Sequence, residues 1–145
     1  MQLKSRKEFL NESLDKFFDD THEGNYNCAS KGLTSLVNLY IPITINGHFD
    51  CGYNKLTSLE GCPIKVNGSF YCYTNKLTSL EGCPETVTID FYCSDNSYLK
   101  NLEFLPEIGG NLNVKGCPLI TKEMLQEVRN SGKVPGKIYS DHGTI

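Results

Sequence analysis

The sequence has 145 residues, 39% of them hydrophobic and 21% charged, with a net charge of −3. Those values fit one ordinary folded domain, exclude the depleted composition of disordered chains, and leave little room for a catalytic domain beside a repeat array. A mildly acidic balance also gives nucleic acid no electrostatic foothold, because phosphate binding relies on clustered Lys and Arg.

The chain opens with MQLKSRKEFLNESLDKFF. Charges interrupt this stretch throughout, where a signal peptide has a continuous apolar core. No later segment approaches the roughly 18 apolar residues that span a bilayer. The expected location is therefore cytoplasmic, with no membrane partner. Ser5 followed by Glu8 makes a capping-box pattern, and Leu3, Leu10, Leu14, Phe17 and Phe18 fall near helical spacing on one face. Residues 1–23 are predicted to be a helical cap.

Residues 24–118 are repetitive. The string NKLTSLEGCP occurs at Asn54 to Pro63 and again, unchanged, at Asn75 to Pro84, an offset of 21 residues. Three further series keep that spacing: Phe49, Phe70, Phe91 and Leu112; Cys51, Cys72, Cys93 and Val114; Ile45, Val66, Val87 and Ile108. A looser copy runs through Tyr26, Cys28, Leu33, Leu36 and Pro42, with two extra residues before the next unit. A fixed period of this length is the mark of a solenoid, in which each coil buries its apolar edge against its neighbours. Four to five coils are expected.

Each unit reads V-x-G-x-F-x-C-x-x-N-x-L-x-x-L-x-G-x-P, as from Val66 to Pro84. This resembles the leucine-rich-repeat signature, with Phe70 and Cys72 at inward strand positions, Asn75 at the Asn position, and Leu77 and Leu80 at the following leucines. Phe and Cys stand where the family favours Leu and Val, and Cys117 takes the Asn position of the last coil. The nearest resemblance is to the short repeats of secreted bacterial virulence effectors and to repeat proteins of tailed phages. It implies an α/β, right-handed leucine-rich-repeat solenoid with a parallel concave sheet. It also implies a helical cap before the repeats, and a non-enzymatic interaction module that inhibits or redirects a host protein, in the host cytoplasm if injected or phage-encoded.

Within the repeats, Asn54, Asn75 and Asn96 stand where the strand ends, and their amides are expected to bond backbone groups that the turn leaves unpaired. Seven cysteines are an odd set for a disulfide framework. Cys51, Cys72 and Cys93 lie two residues beyond the inward phenylalanines, hence on the same face, and read as buried thiols. No C-x-x-C or partnered His suggests a metal, and no cofactor is expected.

At residues 119–132 a second helical cap is predicted, with Thr121 as N-cap, Met124, Leu125 and Val128 on one face, Gly132 just past the end, and Ile120 with Leu125 as a staple. The tail, residues 133–145, has too few apolar residues for a full element. It is expected to add an edge strand or to remain free for a partner.

Side chains that alternate with the inward Phe and Cys face outward. Coil by coil these are His48, Asp50, Gly52 and Tyr53; Ser69, Tyr71, Tyr73 and Thr74; Asp90, Tyr92, Ser94 and Asp95; Asn111, Asn113 and Lys115. Tyrosine concentrated at the centre matches interface hot spots. The candidate partner-binding set is His48, Asp50, Tyr53, Tyr71, Tyr73, Asp90, Tyr92, Asp95 and Asn113, and the acidic residues favour a neutral or basic protein partner. The same tyrosines also suit simple cross-strand packing. For catalysis the residues give no pattern: His22, His48 and His142 lie apart in no ligand-spaced motif. A cysteine-based metal or redox protein and a self-assembling structural protein are the alternatives. A monomer is expected.

Overall fold

The structure, a computed structural model, describes residues 20–145. Short extended segments follow one another as β1 (Thr21–Glu23), β2 (Tyr26–Asn27), β3 (Thr44–Asn46), β4 (Phe49–Asp50), β5 (Lys65–Val66), β6 (Phe70–Tyr71), β7 (Thr86–Val87), β8 (Phe91–Tyr92), β9 (Glu107–Ile108) and β10 (Leu112–Asn113). The helix α1 (Lys122–Ser131) comes next, then β11 (Ile138–Ser140) and β12 (Gly143–Thr144).

Stacking these segments gives two sheets. Strands β1, β3, β5, β7 and β9 form one of five, and β2, β4, β6, β8, β10, β11 and β12 form one of seven, parallel except for the last pair. The register repeats the sequence period: Phe49 pairs with Phe70 and Phe70 with Phe91, while Ile45 pairs with Val66 and Val66 with Val87. The protein is thus a parallel β-solenoid of about four coils with 21-residue spacing.

The core lies between the sheets. From one side it receives Ile45, Val66, Val87 and Ile108, from the other Phe49, Phe70, Phe91 and Leu112, and from the linking turns Leu56, Leu59, Leu77, Leu80, Leu99 and Leu105, all buried. Aromatic rings run through it as a spine. Tyr26 stacks on Phe49 at 5.6 Å and Phe49 on Phe70 at 5.6 Å, while Phe70 lies tilted against Phe91 at 5.1 Å.

Between the sheets, linking glycines lie too close to the backbone of the coil before to carry a side chain. A Cβ on Gly68 would collide with the carbonyl of Gly47, and one on Gly47 with the backbone of Gly24, so the recurring glycine permits successive turns to nest.

Two features differ from the sequence expectation. The described residues are mostly β with one α-helix, not the alternation of strand and helix that an α/β repeat requires, and the single parallel sheet expected is accompanied by a second. The reason is length. From Asn54 to Lys65 the link is short and holds Gly61 and Pro63, neither of which sustains a helix, so the chain crosses by turns. In the first coil the corresponding link includes a single 3-10 turn at Val37–Leu39.

Most of the predicted N-terminal helical cap, residues 1–19, lies outside the described residues. Thr21–Glu23, at its end, is a strand paired with Thr44–Asn46, so the first coil begins there. At the other end Thr121 caps α1 by accepting from the Met124 N–H, Gly132 closes it at φ 74°, and Leu125 and Val128 are buried with Ile120. Beyond it the tail re-enters the solenoid. Leu112 pairs with Ile138 and Asn113 with Tyr139, and β12 then folds back antiparallel on β11. Arg129 fastens this segment, its guanidinium donating to the carbonyls of Val134 and Gly136 at 2.8 Å each and of Ile145 at 2.6 Å.

Candidate protein-binding face

Alternation along the seven-stranded sheet turns Phe inward and its successor outward, so stacked coils align the outward residues in a row. Across β4, β6, β8 and β10 that row is Asp50, Tyr71, Tyr92 and Asn113, in direct register, and β11 adds Tyr139. All five are half-buried. Tyr71 and Tyr92 stack face to face at 4.9 Å, Tyr73 meets Tyr71 edge-on at 6.1 Å, and Tyr53 meets Tyr73 edge-on at 5.2 Å. Four of the predicted tyrosines therefore form one continuous aromatic patch.

Carboxylates fix the rings. The Tyr73 hydroxyl donates to Asp50 Oδ2 at 3.4 Å and the Tyr92 hydroxyl to Asp90 Oδ2 at 3.2 Å. Partial burial pushes both phenols above their ordinary value, with the facing Asp50 and Asp90 charges adding to it. Because each hydroxyl spends its proton inward, what it offers outward is oxygen lone pairs. Gly52 lies beneath Tyr73, where a Cβ would come within 2.8 Å of the ring, so that glycine is covered and not part of the outer surface. Ser69, also expected outside, is only 3% exposed.

Two ladders hold the row at either end of the strands. At the start, a side-chain acceptor in each coil takes a backbone N–H of the next. Asn25 Oδ1 accepts from His48 at 2.8 Å, His48 Nδ1 from Ser69 at 2.9 Å, Ser69 Oγ from Asp90 at 3.3 Å, Asp90 Oδ1 from Asn111 at 2.6 Å, and Asn111 Oδ1 from Lys137 at 2.8 Å. His48 and Asp90 thus belong to the supports of the face as well as to its rim. His48 also packs edge-on against Tyr71, with ring centres 6.1 Å apart.

At the strand end the asparagines act as expected. Asn75 accepts from Leu56 N at 3.0 Å and donates to the carbonyls of Cys51 and Cys72 at 3.1 Å and of Tyr73 at 3.3 Å. Asn54 and Asn96 do the same one coil away in each direction. Cys117 keeps one strand of this pattern, its thiol donating to the Cys93 carbonyl at 3.3 Å. The residue before each of these rungs is left-handed: Tyr53, Thr74 and Asp95 at φ 52°, 52° and 55°, and Gly116 at 71°. That geometry swings Tyr53 out to 60% exposure and places Asp95 on the turn, exposed and out of line with the tyrosine row.

Tyr139 is the member of the row that the sequence reading did not include. Its signal is present as Val134-x-Gly136-x-Ile138-Tyr139, the strand motif of Val66 to Tyr71, but the spacing from the preceding coil is 26 instead of 21 because α1 intervenes.

The cysteines are all buried, and none is joined in a disulfide. Burial pushes the Cys28 thiol up to about 12 and Cys117 to about 11, and holds Cys51, Cys72 and Cys93 well above the ordinary 9.0. Such thiols are protonated and shielded, the opposite of a nucleophile or a metal ligand. Among the described residues no group of three or more His, Cys, Asp or Glu is arranged to hold a metal ion. Nor is any helix there long and apolar enough to cross a membrane.

Coils, ladders and an outward aromatic row define a short parallel-stranded solenoid with one tyrosine-bearing sheet face. Comparison with protein-family models, with curated proteins and with solved structures returned no match.

Proposed function

We propose that the chain is a leucine-rich-repeat-like interaction module that binds another protein through the outer face of its seven-stranded sheet. The observation that carries this reading is the unbroken ring contact from Tyr53 through Tyr73 and Tyr71 to Tyr92, half-open to solvent and braced by Asp50 and Asp90. Rigid aromatics lose little entropy when covered, and their clustering is typical of interface hot spots. Cross-strand packing accounts for Tyr71 against Tyr92. It gives no reason for Tyr53, a bulky aromatic kept in a left-handed conformation at the rim.

The Asn-centred coil end supports the leucine-rich-repeat affiliation, and with it an effector role against a host protein as the resemblance implies. Non-enzymatic action fits the state of the histidines, each engaged with backbone: His22 with the Asn25 carbonyl, His48 with the Ser69 amide, His142 with the Ile120 carbonyl. Protonated, enclosed thiols argue against a redox or metal protein.

Replacing Tyr71, Tyr73 and Tyr92 together with Ala tests the reading. Capture of the partner from host lysate should fall at least about tenfold, the effect expected when several hot-spot aromatics are truncated. Circular dichroism should be unchanged. Capture at wild-type level by the folded triple variant would refute the assignment of this face.

A further inference from the structure

The ladder at the strand starts contains one rung unlike the others. Asn25, Ser69, Asp90 and Asn111 accept through oxygen, whereas His48 accepts through Nδ1, a ring nitrogen that becomes a donor when a proton is added to it. For Ser69 N–H to donate to Nδ1 at 2.9 Å, that nitrogen must be bare and the ring proton must sit on Nε2.

The Ser69 amide is enclosed with His48 Nδ1 as its acceptor. Ser69 is 3% exposed, so an amide released from His48 is shut away from water. Its own carbonyl receives the Phe49 N–H at 3.0 Å and its hydroxyl receives the Asp90 N–H, so it links three coils. Two residues on is Tyr71, whose ring touches His48, Tyr73 and Tyr92.

The groups that share this surface with the imidazole are few. From the coil before come Asn25 and Asn27, both uncharged. From the coil after come Ser69 and the Tyr71 phenol. On its own strand stands the Asp50 carboxylate, already accepting from Gly52 N–H at 2.8 Å and from Tyr73. His22, a second titratable ring, contacts the Asn25 carbonyl at 3.2 Å.

We propose that His48 is a proton-sensitive rung that sets the order of the tyrosine face. A solvent proton on Nδ1 turns the acceptor into a donor, sets N–H against N–H, breaks the link to Ser69 and frees the Tyr71 ring from its edge contact. The face is then ordered at neutral pH and loosened in acid, with a change of protonation at one side chain and no covalent step. As a regulation of binding this rests on the reading of the face as the partner surface, while the proton-coupled rung itself does not.

The test is a titration of the whole chain from pH 8 to pH 5 by NMR, following the Ser69 amide, the Tyr71 ring and the His48 ring, with hydrogen exchange at Ser69. In the wild type the Ser69 and Tyr71 signals should move together with His48. Ser69 protection should fall on the order of tenfold in acid, as for a locally opened amide. His48→Asn supplies an oxygen acceptor that does not titrate, as Asn25 and Asn111 do in their own rungs. Its Ser69 and Tyr71 signals should resemble the neutral wild type at every pH. His48→Ala should show the weakened Ser69 protection at every pH. Ser69 and Tyr71 signals that stay fixed while His48 titrates would overturn the proposal, as would a transition that survives in His48→Asn and therefore belongs to His22 or Asp50. No partner enters these measurements, so a flat titration sinks the rung alone, and failure of the tyrosine variant to lose capture sinks the binding reading alone.

Discussion

Asn54, Asn75 and Asn96 each place a carboxamide where a coil leaves its strand, and each joins its own strand end to the coil before. The carboxamide suits the position because it donates and accepts at once, which neither a hydroxyl nor a carboxylate does with the same reach. Removing it strands the buried Leu56 N–H and takes one of two donors from the carbonyls of Cys51, Cys72 and Tyr73, which keep Asn54, Asn96 and the Tyr53 N–H respectively. Asn75→Ala should therefore cost about 2 kcal/mol, as expected for one orphaned buried amide, read as a lower midpoint in urea unfolding. Asn75→Asp should be no better, since an ionised carboxylate would face three carbonyl oxygens. Residues of this kind were legible in the sequence because one letter recurs in phase. The ladder at the strand starts was not: Asn25, His48, Ser69, Asp90 and Asn111 share a capacity to accept and no common letter, so periodicity of residue type misses them.

Among elements, the inward strand positions were evident from the Phe and Cys series, since packing identical residues coil on coil keeps the period visible. The five-stranded sheet was less so. Its strands are mostly two residues long, as in Lys65–Val66 and Thr86–Val87, too short for alternation to announce a strand even though the Ile45, Val66, Val87 and Ile108 series marked the inward face. The last strands were masked differently. A ten-residue helix inserted into the coil changed the spacing, so Ile138 and Tyr139 fall out of phase in sequence while falling into register in space. Arg129 is what brings them back, because one planar guanidinium reaches three carbonyls on two sides of the segment. Arg129→Ala should open the tail locally. Hydrogen exchange at Leu112 and Val114, whose N–H groups donate to Lys137 and Tyr139, should rise at least about tenfold while Phe70 and Cys72 stay protected. Arg129→Lys should recover little of this, as an ammonium cannot span the same fork.

For the whole molecule, thiol burial makes stability depend on pH in a definite direction. In the unfolded chain cysteine ionises near 9.0, whereas in the folded chain Cys28 waits until about 12 and Cys117 until about 11, with Cys51, Cys62, Cys72 and Cys93 raised as well. The folded state therefore holds more protons above pH 9. Its stability is fully present below that value and is lost as pH rises through the folded values. Under reductant, Tm should be level across this thiol transition up to about pH 8 and should decline steadily from about pH 9 upward. A Tm that stays level to pH 11 would contradict the burial described for these side chains.

Seven is an odd number, and inside the solenoid that is harmless because every sulfur is walled off by leucine and phenylalanine. Once the chain opens in the presence of an oxidant such as dissolved oxygen, which takes two electrons for each disulfide formed, the arithmetic changes: pairing among themselves satisfies six sulfurs at most, and the leftover one pairs with a neighbouring molecule. Wrongly paired loops cannot thread back into coils that accept only reduced side chains at these positions. Under such an oxidant, unfolding is thus a one-way passage toward cross-linked material, and the persistence of the native protein is governed by how rarely its coils part.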